Sequence, residues 1–326
     1  MKVTSYAAEL RSALSAALSG FSERDLARAT ADLVERYRQP RAARGAILSS
    51  PVRVGAYATY RMPATHAAMQ RVLEDVARTG VRPRTIVDVG GGTGAAAWAA
   101  AAVFDSLESI VVLDQVVEAL DLGRRLVAEA SAPVLRSTRF DRALVGALPD
   151  VAADLITASY VLSELSARQI TDLIDEMMAR GQVAVVVEPG TPDGYERVLG
   201  VRNRFLTEGW HLLGPCPHEL SCPLVGPDWC HFAARVSRSA EHRRIKGADL
   251  PYEDEKFSWV AAAAPGAFEP PARSGRILRH PVKRKGLVEF RVCQPDGSAG
   301  RAVVSRREGG RYRAARDSAW GDTLPG

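Results

Sequence analysis

A short β-branched run, Thr85-Ile86-Val87-Asp88-Val89, leads directly into Gly90-Gly91-Gly92-Thr93-Gly94 and then into an alanine-rich stretch over residues 95–104. A strand that turns on glycines into a helix restricts the chain to folds whose parallel strands are joined by helical crossovers. The following sequence keeps that rhythm. Residues 109–114 read as a strand, 116–130 as a helix, 133–137 as a weak strand, 154–158 as a strand and 166–179 as a helix. Residues 182–188 form a continuous apolar run of the kind found in a strand covered on both faces. The pattern predicts an open, mostly parallel α/β sheet.

Other segments flank this core. Residues 1–80 read as a helical preface: two helices over 5–38, with Ser22 as an N-cap and Asp25 three residues on, and a third helix from Pro63 to Gly80. The α/β domain spans 81–265 and carries a Cys-rich insertion at 209–232. Residues 266–326 form a basic segment with short strands expected at 276–278, 286–293, 302–306 and 312–316.

The glycine loop carries the first chemical signal. Glycine lets backbone approach a ligand closely, and the helix N-terminus behind it offers unpaired N–H groups and positive potential. Asp114, at the end of the next strand, suits a ribose diol. A dinucleotide and S-adenosylmethionine both fit this geometry, and the loop also satisfies G-x-G-x-x-A. The spacing Asp88-x-Gly90-x-Gly92-x-Gly94 resembles the first motif of class I methyltransferases, which favours S-adenosylmethionine on Asp88, Gly90, Gly92, Gly94 and Asp114. No catalytic signature accompanies it. Thr157-Ala158-Ser159-Tyr160 stands where an N-P-P-[YF] tetrad would cradle an amine, and Glu188 reads as a strand-end cap before a general base.

All four cysteines, Cys216, Cys222, Cys230 and Cys293, lie in the second half of the chain. Four converging thiolates would make a metal or cluster site. Their spacings are wider than the paired two-to-four-residue spacings of zinc sites, so an iron–sulfur cluster leads, with zinc and free buried thiols as alternatives. His218 and His231 read as neighbours of the site before ligands.

Charge points to a polyanion. The chain is +5 overall, yet residues 268–326 hold thirteen Lys/Arg against six Asp/Glu, so a basic tail follows a near-neutral body. An apolar content of 46% with 25% charged residues excludes a disordered or collagenous chain, and no run approaches the 18 or so apolar residues of a membrane span. With no secretory h-region, the four cysteines indicate a reducing compartment.

Further blocks carry a more specific resemblance: Arg61-Met62-Pro63-Ala64-Thr65, Glu188-Pro189-Gly190, Cys216-Pro217-His218, Trp229-Cys230-His231-Phe232, Glu253-Asp254-Glu255-Lys256-Phe257-Ser258 and Trp320-Gly321-Asp322. With the glycine loop they resemble the methyltransferase-like proteins of the ribosomal small subunit, best known as mitochondrial assembly factors with bacterial relatives. The resemblance implies a class I methyltransferase (Rossmann-like) fold and a 4Fe–4S cluster on Cys216, Cys222, Cys230 and Cys293. It also implies binding to small-subunit rRNA during assembly, with an active rRNA methyltransferase as the alternative. Phosphates would meet Arg235, Arg238, Arg243, Arg244 and Lys246, together with Lys283, Arg284 and Lys285. The N-terminus shows no convincing import sequence, so the expected location is a bacterial-type cytoplasm, on the ribosome.

Overall fold

The computed structural model describes residues 2–38, 50–224, 226–237, 252–268 and 273–326. The chain divides into two compact units, Met1–Ala184 with Ala234–Glu255, and Val185–Ala233 with Lys256–Gly326.

The first unit opens with α1 (Lys2–Leu18), α2 (Glu23–Arg38) and α3 (Pro51–Arg78). Ser22 caps α2 as expected: the Asp25 amide donates to its Oγ at 3.1 Å. The third helix departs from expectation. It begins at Pro51 behind Ser50 and carries Pro63 in its interior. A mid-helix proline costs about 3 kcal/mol, but Val54, Ala58, Met62, Thr65, Met69, Val72 and Val76 form one buried stripe that continues through it. Burial at roughly 1.5–3 kcal/mol per large apolar side chain outweighs the break.

His66 of α3 is buried with Nε2 lacking a partner. Burial, reinforced by the Arg11 charge, pulls its pKa down to about 4 from 6.5. The folded state therefore binds fewer protons than the unfolded state between those values, and stability is lost as pH falls from 6.5 towards 4. Over that window the loss is about 3 kcal/mol at 1.36 kcal/mol per pH unit. H66M should match the parent in denaturant melts at pH 7.5 and exceed it at pH 5. Equal pH sensitivity of the two proteins would contradict this.

The sheet of this unit follows, with β1 (Thr85–Val89), α4 (Ala95–Val103), β2 (Ser109–Asp114), α5 (Val117–Val127), α6 (Pro133–Arg136), β3 (Arg139–Arg142), β4 (Ala153–Ser159) and α7 (Ala167–Arg180). The strands run parallel in the order β3-β2-β1-β4, with Val87 level with Val111 on one side and Ile156 on the other. All of Ala95 to Ala102 is buried, so α4 is the buried helix its composition predicts. The expected strand at 133–137 is instead the short helix α6. Pro133 at its first position presets a helical φ, and the strand lies downstream at Arg139–Arg142, where only Phe140 is buried.

The second unit takes in most of β5 (Gly181–Pro189), then α8 (Pro192–Thr207), β6 (His211–Gly214) and most of β8 (Tyr252–Ala263), while most of β7 (Phe232–Ser237) belongs to the first. Its strand order is β5-β8-β6, with β6 antiparallel to β8. The basic segment builds its own antiparallel sheet from β9 (Arg276–Ile277), β10 (Val282–Arg284), β11 (Leu287–Cys293) and β12 (Ala299–Ser305). The strand expected at 312–316 is the helix α9 (Gly310–Asp317). Its Ala315 is buried with Ile277, Val288, Phe290, Val292 and Val304, which an alternating strand there would not achieve. Among the described residues no helix is long and apolar enough to cross a membrane.

Candidate functional sites

In the first unit the loop after β1 borders a cavity of about 400 Å³, within the usual range for small-molecule sites. Gly90, Gly92 and Gly94 all have left-handed φ values of +67°, +53° and +87°, so this turn requires glycine at the three positions the motif marks. The Gly90 and Gly91 amides donate to the Leu113 carbonyl at 2.7 and 3.2 Å. Asp114 accepts from the Gly92 and Val116 amides, both at 2.9 Å. Desolvation pushes its pKa up against those donors. Gly90, Gly92 and Asp114 line the cavity, together with Gly91.

Asp88 is placed differently. It is fully buried beneath the loop and does not line the cavity. Thr157 donates to its Oδ1 at 2.7 Å, and Oδ2 has no partner. Desolvation, with a smaller contribution from Asp114, raises its pKa to about 7 from 3.8. A carboxyl with a raised folded pKa is stabilising when protonated, and that stability is lost as pH rises from 3.8 through 7. D88N should therefore match the parent near pH 4 and be more stable by about 4 kcal/mol at pH 8, from 1.36 kcal/mol per unit. A pH-independent difference in urea melts would refute the assignment.

Sequence reasoning missed two contributions to this cavity. Gly91 occupies a variable position of the motif, yet a Cβ there would lie 2.3 Å from Asp88 Oδ2 and 2.8 Å from Val112 Cγ1. Tyr57, Met62 and Thr65 of α3 also line the cavity, so the helical preface is part of the site; only the arrival of α3 in space reveals this. Burial pushes the Tyr57 phenol up to about 12, which keeps it neutral. Tyr160, just after β4, has φ +58°. The Arg61 guanidinium lies 5.0 Å above its ring and pairs with Glu255 at 3.1 Å.

The second unit brings the four cysteines to one narrow cavity of about 30 Å³. Cys216 and Cys222 follow β6, Cys230 precedes β7, and Cys293 ends β11. Three sulfurs have a polar neighbour: Arg202 Nε donates to Cys216 Sγ at 3.3 Å, the Tyr195 hydroxyl lies 3.2 Å from Cys222 Sγ, and His218 Nε2 lies 3.3 Å from Cys293 Sγ. Burial pushes the thiols of Cys216 and Cys230 up, and that of Cys293 up to about 12, with the other cysteines adding to the rise at each. Among the described residues no three His, Cys, Asp or Glu side chains form a group that could hold a single metal ion. His231 stacks on Trp229 at 5.0 Å and meets the edge of Trp320. Glu188, near the end of β5, is buried and paired with Arg197 at 2.8 Å.

Of the expected phosphate-contacting residues, Arg235 belongs to the first unit and Lys283, Arg284 and Lys285 to the second. Arg235 pairs with Asp254 at 2.9 Å and lies over the Tyr252 ring. Lys283, Arg284 and Lys285 are exposed around β10, with Arg284 3.6 Å from Glu289. Arg238, Arg243, Arg244 and Lys246 lie outside the described residues.

Comparison with known proteins places these features in a family. The family described as mitochondrial small ribosomal subunit Rsm22 matches residues 51–325. The human ribosome assembly protein METTL17, mitochondrial, is 31% identical over 82% of this chain and 62% of its own length. The Schizosaccharomyces pombe Rsm22-cox11 tandem protein 2, mitochondrial, is 24% identical over 83% of this chain and 43% of its own. The chain thus spans about two fifths to three fifths of these relatives' lengths. Among solved structures, magnesium protoporphyrin IX methyltransferase from Synechocystis, with bound S-adenosylmethionine, aligns at TM-score 0.40 and 10% identity. That alignment covers 71% of this chain and 90% of that one. The expected bacterial-type cytoplasmic location is corrected by the relatives, which are described as mitochondrial proteins. A match that takes in the long helix, the glycine loop, all four cysteines and the closing Trp-Gly-Asp block shows that the chain belongs to the mitochondrial small ribosomal subunit Rsm22 family.

Proposed function

We propose that the protein is an rRNA-binding assembly factor of the small ribosomal subunit, with an S-adenosylmethionine pocket in its first unit and a structural 4Fe–4S cluster in its second. The observation that carries this reading is the convergence of four cysteines from three chain segments on one cavity. The thiols of Cys216, Cys230 and Cys293, pushed upward by burial, are poor anions on their own, and an iron core supplies the positive charge that makes thiolates favourable there. The donor set fits the group. Cys216, Cys222, Cys230 and Cys293 all line the one cavity, and four thiol donors are the set an iron–sulfur cluster takes. Cys216, Cys222, Cys230 and Cys293 would hold it, and it would tie β11 to the loops that follow β6.

In the first unit Gly90, Gly91 and Gly92 would let the cofactor approach the backbone, and Asp114 would accept from its ribose. S-adenosylmethionine supplies an electrophilic methyl group when bound. The missing catalytic tetrad favours binding without transfer. Arg235, Lys283, Arg284 and Lys285, with Arg238, Arg243, Arg244 and Lys246, would meet rRNA phosphates, so affinity should fall steeply with salt.

Anaerobic purification followed by iron and sulfide assay tests the cluster, and co-sedimentation with small subunits at low salt tests the partner. Brown protein that sediments with the subunit is expected. Colourless protein with stoichiometric zinc would overturn the cluster, and failure to sediment would overturn the partner. Transfer of tritiated methyl groups to purified subunits would replace the assembly reading with that of an active methyltransferase.

A further inference from the structure

The helix α8 presents one face to the cysteine cavity. Tyr195, Val198, Leu199 and Arg202 all line it, at the spacing that places side chains in a row on one helix face. Two of the four are polar and each reaches a different sulfur, Tyr195 that of Cys222 and Arg202 that of Cys216.

Arg202 stands out energetically. It is 3% exposed. Its other hydrogen bonds go to Asn203 Oδ1 and to the carbonyls of His218 and Leu220, none of which carries charge. A buried guanidinium without a carboxylate is costly unless something anionic shares its cavity. No Asp or Glu lines this one, while a second guanidinium, that of Arg276, does. Apart from the Tyr195 phenol, which burial keeps neutral, the groups lining it among the described residues that can become anionic beside Arg202 are the sulfurs.

The geometry points to Arg202 as the positioning residue that balances the charge of the thiolate-held centre and sets its reduction potential, with Tyr195 contributing in the same direction. This rests on the cluster reading above. Four thiolates on a doubly positive iron–sulfur core leave net negative charge, and reduction adds one more electron. A fixed cation and hydrogen bonds to the sulfurs stabilise the reduced form more than the oxidised form, which raises the potential.

The test is a redox titration of anaerobically purified full-length protein, followed by visible absorbance and electron paramagnetic resonance, with iron per chain measured alongside. R202Q should hold at least tenfold less reduced centre at a fixed potential, a fall of about 59 mV for a one-electron couple. R202K, which keeps the charge but loses the fork, should recover part of that fall. Y195F should shift the midpoint the same way by less. Unchanged midpoints in R202Q at normal iron content would overturn the inference and leave Arg202 a structural residue. Should R202Q fail to fold, unchanged midpoints in both R202K and Y195F would overturn it equally. A parent protein free of iron would sink the cluster reading instead, a result separable from the others because it precedes any variant.

Discussion

On the proposed cluster reading, exchange of Cys293 for alanine is expected to strip the protein of iron and acid-labile sulfide and to lower its melting temperature more than any other single substitution proposed. Cys293 closes β11, paired with Arg276 of β9 and Ala299 of β12, and packs with Leu224 and Leu278 and against Cys222 and Cys230. A structural metal contributes on the order of 10 kcal/mol to folding in small metal-bound domains, against which the cavity left by one lost sulfur, about 1–2 kcal/mol, is minor. Two results should therefore separate. In chelated, iron-free protein the Cys293→Ala change should cost little, whereas in loaded protein it should cost several kcal/mol and expose β9–β12 to limited proteolysis. Equal effects in both forms would mean that the four thiols serve packing alone.

The second large effect is expected at Gly91. G91A places a methyl group against the Asp88 carboxylate and Val112, at separations that real Cβ atoms do not tolerate. Overpacking of this kind typically costs about 1–3 kcal/mol, and here the displaced atoms support the loop that borders the cavity. Calorimetric binding of S-adenosylmethionine should weaken at least tenfold. The double variant D88A/G91A should recover part of the lost stability, since Asp88 is the nearer obstacle, so the two changes should be clearly non-additive. Full cofactor affinity in G91A would move the binding site away from this loop.

The alternation of strands and helices was legible because β1, β2, β4 and β5 are runs of Val, Ile and Leu, and because Ser22 and Ser166 announce helix starts. Ser166 forms a reciprocal capping box with Gln169. Failures came where pattern and packing compete. The stripe that carries α3 across Pro63 is spread over 28 residues, so the proline, read locally, looked like a beginning. The residues of β3 are charged on either side of Phe140, as befits a sheet edge, and gave no apolar signal. Around Tyr312, arginines alternate with apolar residues as they would in a strand, but Ala314 and Ala315 complete a helix packed on the second sheet. In the site, the motif marked Gly90, Gly92 and Asp114, which line the cavity. Asp88 beneath the loop, Gly91 against it and the donors of α8 beside the sulfurs depend on distances that one dimension does not record.

The position of Cys293 also dictates a timetable. Cys216, Cys222 and Cys230 leave the ribosome well before β11 does, and at about 5–20 residues per second the interval lasts several seconds. During it Cys293 is absent, and β9 still lacks its backbone partners Gly321 and Asp322. On the proposed cluster reading, the fourth sulfur therefore arrives late in biosynthesis, and a chain ending before Cys293 would lack it.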